Sequence, residues 1–274
     1  MIQRHMHRAA GLQWHYREAG AGPLLVLLHP SPRSSAMYEP WMQVLATHFR
    51  VLAIDTPGYG GSEPLPQAPT SLRDYTAPLR DLLQTIAGPR YTLYGSATGA
   101  QIAIAYANVF PHDVLHLMLD NAAHFDDAER AQMLLRYFPD LTPREDGSHL
   151  QTAWQMCAQM LQFFPWFAAD ETHRFAGPPR AADVHASLFE LLAAGPAYAT
   201  AYRAAFEHER AEHVQALTVP TTLCRWQASI LLKHIDRLLS FALPANVQVL
   251  QTPAPVSERY AAMTEHLVHL KALR

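Results

Sequence analysis

The segment Leu93-Tyr94-Gly95-Ser96-Ala97-Thr98-Gly99-Ala100 sets two glycines on either side of three residues, between a short apolar stretch and a run of small helix-forming residues. A strand, a tight turn and a helix in that order lift the middle side chain above the end of a sheet, beside the amide of the next residue. The chemistry such a turn serves is nucleophilic attack on a carbonyl, with the amide stabilising the oxyanion that forms. Here the middle residue is Ala97, and a methyl group attacks nothing. Ser96 stands next to it, but the turn exposes only the central position, so Ser96 reads as a turn residue. Thr98 keeps a role through its amide.

A turn of this kind needs a buried strand before it and a helix after it, and the surrounding sequence supplies both. Leu24 to Leu28 is an unbroken apolar run ended by His29-Pro30-Ser31-Pro32, the pattern of a strand covered on both faces. Met37 to Phe49 reads as a helix and Arg50 to Ile54 as the next strand. Asp55 to Ser62 is a glycine-rich loop. Ser71 to Ile86 carries Leu72, Tyr75, Leu79, Leu82 and Leu83 on one helical stripe. Tyr91 to Tyr94 predicts a strand, Ala100 to Val109 a helix and Val114 to Leu119 another strand. Upstream, Leu12 to Arg17 alternates, and Gly20, Gly22 and Pro23 punctuate it, which suggests a hairpin. From about His124 to His213 the pattern turns to aromatic-rich helices broken by prolines, which reads as an inserted helical cap. Strands return at Thr221 to Arg225 and Val247 to Gln251, and a last helix runs from Ser257 to Leu273. The expectation is an α/β architecture with a mostly parallel central sheet covered by helices on both faces. Its core spans residues 1–123 and 214–274, and the helical cap spans 124–213.

The strand, turn and helix around Ala97 resemble the nucleophile elbow of the α/β-hydrolase superfamily. Leu25 to Ser35 is similar to that superfamily's His-Gly loop after its third strand, and Asp55 to Ser62 to its D-x-x-G-x-G-x-S loop after the fourth. The resemblance covers nearly the whole chain and implies the α/β-hydrolase fold with a hydrolase-like site. It also marks departures. The elbow centre of that family carries Ser, less often Asp or Cys. Its base is a His after the last strand, where this chain reads Gln251-Thr252-Pro253-Ala254-Pro255-Val256-Ser257. Its acid follows the preceding strand, where Arg225-Trp226-Gln227-Ala228-Ser229 offers no carboxylate; the family's alternative acid position, at the end of the strand before the cap, holds Asp120. The chain also resembles a branch whose elbow reads G-x-H-T-G-A, paired with a His-x-x-Pro-Arg-Ser loop. His29, Pro32, Arg33, Ser34, Gly95, Thr98, Gly99 and Ala100 fit that branch, and Ala97 does not. A natural loss and an engineered replacement of His or Ser by Ala both remain open.

The remaining candidates follow from the same frame. Pro30 stands where the family has Gly and lacks an amide hydrogen, so Ser31 is expected to give the second oxyanion amide, facing that of Thr98. Arg33 reads either as a two-pronged clamp for a carboxylate or as a solvated loop residue. His29 reads as a residue that orders the loop. Asp120 and, four residues on, His124 are candidate acid or base groups. His149, in the polar cluster Asp146-Gly147-Ser148-His149, reads either as a group reaching the pocket or as part of a helix cap. Trp154 and Trp166, with Phe163, Phe164 and Phe167, read as an aromatic lid or as the core of the cap itself. His234 and Asp236 read as surface helix residues.

Composition excludes several classes. Lys and Arg number 21 against 24 Asp and Glu, a net charge of −3 that does not attract a polyanion, so nucleic acid is not an expected partner. Hydrophobic residues at 49% against 16% charged argue for a packed core and not for disorder. No apolar stretch approaches the ~18 residues that span a bilayer, and the first residues lack a signal-peptide core, so a cytoplasmic protein without membrane contact is expected. Cys157 and Cys224 match no disulfide or metal spacing, and the 16 histidines lack paired zinc spacings, so neither metal nor organic cofactor is implied. The expected partner is a small molecule; a homodimer is compatible with a sequence that is silent on it.

The combined expectation is a hydrolase-fold enzyme acting on a small carbonyl- or carboxylate-containing molecule through an oxyanion hole, without a standard Ser-His-Asp triad. Its alternatives are lyase or isomerase chemistry on the same fold and a ligand-binding pseudo-hydrolase.

Overall fold

Leu24–Leu28 and Arg50–Ile54 pair in parallel at the centre of one eight-stranded sheet. The computed structural model describes residues 1–272. The strands are β1 (Gln3–Ala9), β2 (Leu12–Ala19), β3 (Leu24–Leu28), β4 (Arg50–Ile54), β5 (Tyr91–Ser96), β6 (Val114–Asp120), β7 (Thr221–Trp226) and β8 (Val247–Thr252), in the order β1-β2-β4-β3-β5-β6-β7-β8. β1 and β2 join antiparallel at one edge, and β4 through β8 run parallel with β3. The chain proceeds from β3 to β4 on one side and then crosses back to β5 on the other. The crevice beyond the carboxyl ends of β3 and β5 is therefore where an open parallel sheet accommodates a ligand.

Alternation along β3 explains the two covered faces. Val26 and Leu28 pack with Leu79, Leu82 and Leu83 of α2 (Thr76–Ile86) and Ile102 and Ala103 of α3 (Thr98–Val109). Leu25 and Leu27 pack on the other face with Trp41, Met42 and Leu45 of α1 (Glu39–Leu45) and with Met263 and Leu267 of the last helix. Each such side chain, fully buried, contributes about 1.5–3 kcal/mol.

Between β6 and β7 lie α4 (Asp127–Arg136), α5 (Ser148–Met160), α6 (Ala181–Ala193), α7 (Thr200–His208) and α8 (Ala211–Gln215); α9 (Leu232–Leu239) precedes β8, and α10 (Val256–Ala272) ends the described chain. A capping box starts α4: the Glu129 amide donates to the Asp126 carboxylate at 2.9 Å, and the Asp126 amide returns a bond to the Glu129 carboxylate at 3.2 Å. This helical segment has apolar clusters of its own, one around Met156, Cys157 and Tyr198, the other around Phe125, Tyr137 and Phe206.

Three expectations shift. The hairpin closes at Ala10 and Gly11, both with positive φ, and not at Gly20 to Pro23, which lead from β2 into β3; β2 pairs on its other side with β4. The helix expected from Met37 begins as a 3-10 turn at Ser35–Tyr38, becomes α-helical at Glu39 and ends at Leu45. The last helix starts at Val256, and its expected end at Leu273 lies outside the described residues. Among the described residues no helix is long and apolar enough to cross a membrane.

Candidate active site

At the end of β5 the backbone turns into α3 through Ala97, whose φ of 48° and ψ of −110° are strained for any residue with a side chain. The two glycines make the turn sterically possible. A Cβ on Gly95 would lie 2.3 Å from the carbonyl oxygen of Gly99, and one on Gly99 would lie 2.3 Å from that of Leu28 in β3. The Ala97 amide donates to the Asp120 carbonyl at 3.0 Å, and the Ala97 carbonyl accepts from Gln101 at 3.1 Å. Thr98 opens α3, so its amide has no acceptor within the helix.

A cavity of about 470 Å3 lies against this turn. Its floor carries Ala97, Thr98 and Ser31, and its walls carry Arg33, Asp120 and Arg259. The rest is mostly apolar, with Phe125, Tyr137, Phe164, Tyr202 and Phe206 closing it from the helical segment. A cavity of this size and lining, with a few convergent polar groups, suits a small organic molecule.

Asp120, 1% exposed, ends β6 and collects donors. Its Oδ2 accepts from the Tyr94 hydroxyl at 2.8 Å and from Ser96 Oγ at 3.3 Å. Arg259, 6% exposed and in the first turn of α10, closes an ion pair with the same oxygen. The Arg259 guanidinium also lies 4.3 Å over the Trp226 ring. Although burial alone opposes its charge, Asp120 and the phenols of Tyr94 and Tyr260 hold the guanidinium even further above its ordinary pKa. A fixed cation therefore stands just past the loop where the sequence lacks the family's His. The family resemblance points to an imidazole at this place, so it does not single out Arg259.

Among the described residues that line the cavity, the phenols and the thiol offer no ready base. Burial first, then the Asp120 charge, pushes the Tyr94 phenol well above its ordinary value. Burial likewise raises Tyr137 to about 12 and the Cys157 thiol to about 11. Glu209, on the cavity wall, is held by Arg130 at 3.0 Å and by His124 at 2.6 Å.

The other expected residues divide. Ser31, Thr98, Arg33 and Asp120 all line the cavity, as Ala97 does. Arg33 is already engaged: its Nε lies 2.5 Å from Glu190 of α6, and Ser34 Oγ donates to the same carboxylate at 3.1 Å. The Ser31–Pro32 peptide is cis. His29 orders its loop as expected, accepting from the Thr56 amide at 3.0 Å through Nε2 and facing the Pro30 carbonyl with Nδ1 at 3.0 Å. Burial is the main cause of its lowered pKa, which favours the neutral ring those contacts require.

His124 does not reach the cavity. Its neighbours Ala123 and Phe125 line it, while the imidazole pairs with Glu209 and packs edge-on against Phe241. His149 does neither: it does not line the cavity, and the N-cap of α5 is Gly147, without a side-chain bond, while His149 Nδ1 accepts from the Arg144 amide of the preceding loop at 3.1 Å. Trp154 is 41% exposed, and Trp166 donates to the Tyr137 carbonyl at 3.1 Å within the aromatic packing. Neither tryptophan lines the cavity; of the expected lid aromatics, only Phe164 does. His234 is buried against Phe125, 4.2 Å between ring centroids, and is not a surface residue, whereas Asp236 pairs with Arg225.

Residues 23–215 match the family model described as the alpha/beta hydrolase fold. The chain belongs to the α/β hydrolase fold family. It is 33% identical over 95 residues to 2-(acetamidomethylene)succinate hydrolase of Mesorhizobium japonicum, covering 35% of this chain and 34% of that protein. It is 31% identical over 122 residues to epoxide hydrolase 3 of Xenopus tropicalis, covering 42% and 32%. The chain thus spans about a third of the length of these curated relatives. Among solved structures, a mutant of potato epoxide hydrolase superposes with a TM-score of 0.75 at 18% identity, covering 100% of both chains. Epoxide hydrolase A from Mycobacterium thermoresistibile gives 0.72 at 18%, covering 98% of each. At these identities the superpositions establish the α/β hydrolase fold alone.

Proposed function

We propose that this α/β-hydrolase-fold protein is an enzyme that binds a small, largely apolar molecule bearing a carbonyl or carboxylate, and that it acts without forming a covalent enzyme intermediate. The carrying observation is the pairing of a methyl group at the strained turn with a buried Asp120–Arg259 ion pair on the same cavity. A family member that attacked its substrate would need a nucleophile at position 97 and a base beside it; this chain has neither there. What the cavity offers instead is electrostatic. The amides of Ser31 and Thr98 form the proposed oxyanion hole, and Arg259 adds a fixed positive charge in an apolar surround, where such donors act most strongly. Asp120 acts as the positioning partner of Arg259. The helical segment between β6 and β7 serves as the cap that keeps water out. Lyase chemistry of the decarboxylating kind fits this set of groups: the electron pair of the breaking carbon–carbon bond is held as an enolate in the oxyanion hole, carbon dioxide leaves, and no enzyme base is needed for that step.

A second reading, saturable binding without turnover, is favoured by the engagement of the Asp120 carboxylate with Arg259, Tyr94 and Ser96. The experiment compares the protein with Ala97→Ser, Ala97→His and Arg259→Met variants on small esters, thioesters and β-dicarbonyls, with mass-spectrometric product detection. Turnover by the unaltered protein that falls in Arg259→Met by more than the loss of folded protein, measured by urea denaturation of the same variant, supports the proposal. Thermal stabilisation by these compounds with no product from any form moves the conclusion to the binding reading. Turnover confined to Ala97→Ser or Ala97→His rejects the enzymatic proposal and identifies a silenced hydrolase.

A further inference from the structure

A second cavity, about 280 Å3, opens where α3, the helical turn Leu72–Tyr75 and the segment from α7 into α8 meet. Its lining brings together Arg73, His208, Arg210 and His213, with Ser71 and Asn108, and includes no carboxylate.

Most of the described arginines are answered by a carboxylate, as Arg17 is by Glu39, Arg50 by Glu18 and Arg80 by Asp113. Arg73 and Arg210 belong to the minority that are not, and they are brought together at one cleft. Among the described residues neither is in an ion pair, and Arg210 turns its guanidinium to the carbonyls of Glu207 and Glu209, at 3.1 and 2.6 Å. Acidic groups flank the cleft without lining it, and Asp74 and Glu207 both act on His208. Asp74 accepts from the amides of Thr70 and Ser71 at 2.6 and 2.9 Å, and Glu207 lies 3.9 Å from His208. The field in the cleft registers on His213, whose pKa burial lowers first and Arg210 and Arg73 lower further, against Glu209 and Glu212.

We propose that this cleft binds a small dianion of the phosphate class, either inorganic phosphate or the phosphate of a phosphomonoester. Asn108 Nδ2 already donates to the His213 carbonyl at 2.9 Å and Arg210 Nη1 to two carbonyls, yet the Arg73 guanidinium, the rest of the Arg210 fork, the two imidazoles and the Ser71 hydroxyl still present more donors than the two oxygens of a carboxylate can accept. They suit an anion with three or four oxygens in a tetrahedral array, the group for which the guanidinium fork is well shaped. The back wall is Gln101 of α3, which also lines the main cavity, so the two cavities stand back to back across one buried side chain. The proposal does not depend on what the main cavity does.

The test titrates the full chain at low salt with phosphate, glycerol phosphate, succinate and chloride, and follows the imidazole NMR signals of His208 and His213, assigned with His208→Gln and His213→Gln. Phosphate is expected to shift both signals saturably with a dissociation constant of roughly millimolar. Succinate should bind more weakly and chloride should give no saturable shift. Tighter binding of glycerol phosphate assigns the site to a phosphomonoester; equal binding assigns it to the free ion. The Arg73→Gln/Arg210→Gln double variant should weaken phosphate roughly tenfold with an unchanged urea midpoint, since both residues are exposed. A response to chloride equal to that of phosphate, succinate binding tighter than phosphate, or full phosphate affinity in the double variant overturns the proposal.

Discussion

Arg259 and Asp120, 139 residues apart in sequence, meet as an ion pair with almost no solvent around either side chain. Removing one partner leaves the other charged in an apolar surround. Asp120→Asn and Arg259→Met are each expected to destabilise the protein by about 3–5 kcal/mol, and the double variant by clearly less than the sum. Urea denaturation of the four forms measures this. Additive losses would mean that the pair contributes nothing as a pair.

Ala97 carries positive φ without being glycine. Alanine to glycine usually costs roughly 0.5–1 kcal/mol within regular structure, but here glycine relieves the clash of Cβ with its own backbone. Ala97→Gly is expected to leave the urea midpoint unchanged or to raise it, by up to about 1 kcal/mol. A loss of the usual size would contradict the strain.

Burial holds His234 down at about 4 in the folded protein, against about 6.5 in an unfolded chain. The unfolded chain therefore takes up a proton that the folded protein refuses. The stability this represents is complete above about pH 6.5 and is lost as pH falls toward 4, by up to about 3 kcal/mol. His29, lowered by its own burial, acts in the same direction. His234→Phe, which keeps the packing on Phe125, should flatten the fall in urea midpoint between about pH 7 and pH 5. An equally steep fall in the variant would assign the effect elsewhere.

Glu190 of α6 occupies the guanidinium of Arg33 at the cavity wall. A carboxylate ligand must compete with it. Glu190→Gln is expected to tighten binding of small carboxylates several-fold while changing stability by less than about 1 kcal/mol, because the pair is partly exposed. Calorimetric titration with short-chain carboxylic acids measures this, and unchanged affinity would remove Arg33 from the binding role.

How much of this was legible beforehand depended on residue type. β3 and β4 announce themselves because strands covered on both faces must be apolar throughout, and the turn at Ala97 because only glycine tolerates the contacts at positions 95 and 99. β1 is not legible because Gln-Arg-His-Met-His-Arg-Ala forms a polar edge strand in which no residue is fully buried to set a pattern. Ser31, Thr98 and Asp120 were placed from the ends of strands, which topology fixes. Arg259 was not, because nothing in a guanidinium's sequence neighbourhood tells which distant carboxylate it will meet. His124 and the tryptophans went astray for a related reason: a helical segment rich in aromatics has many equivalent ways to choose which rings face inward. The phenylalanines and tyrosines that line the cavity differ from their neighbours only in orientation.

The contacts of Gly95 with Gly99, and of Gly99 with Leu28, hold the sharp turn without any help from the side chain between them. Shape and reactivity are thus specified by different atoms. The backbone forms a socket whose occupant can be exchanged at little cost to folding, so a lineage or a designer can remove, restore or replace the reactive group at position 97 while the cavity around it persists.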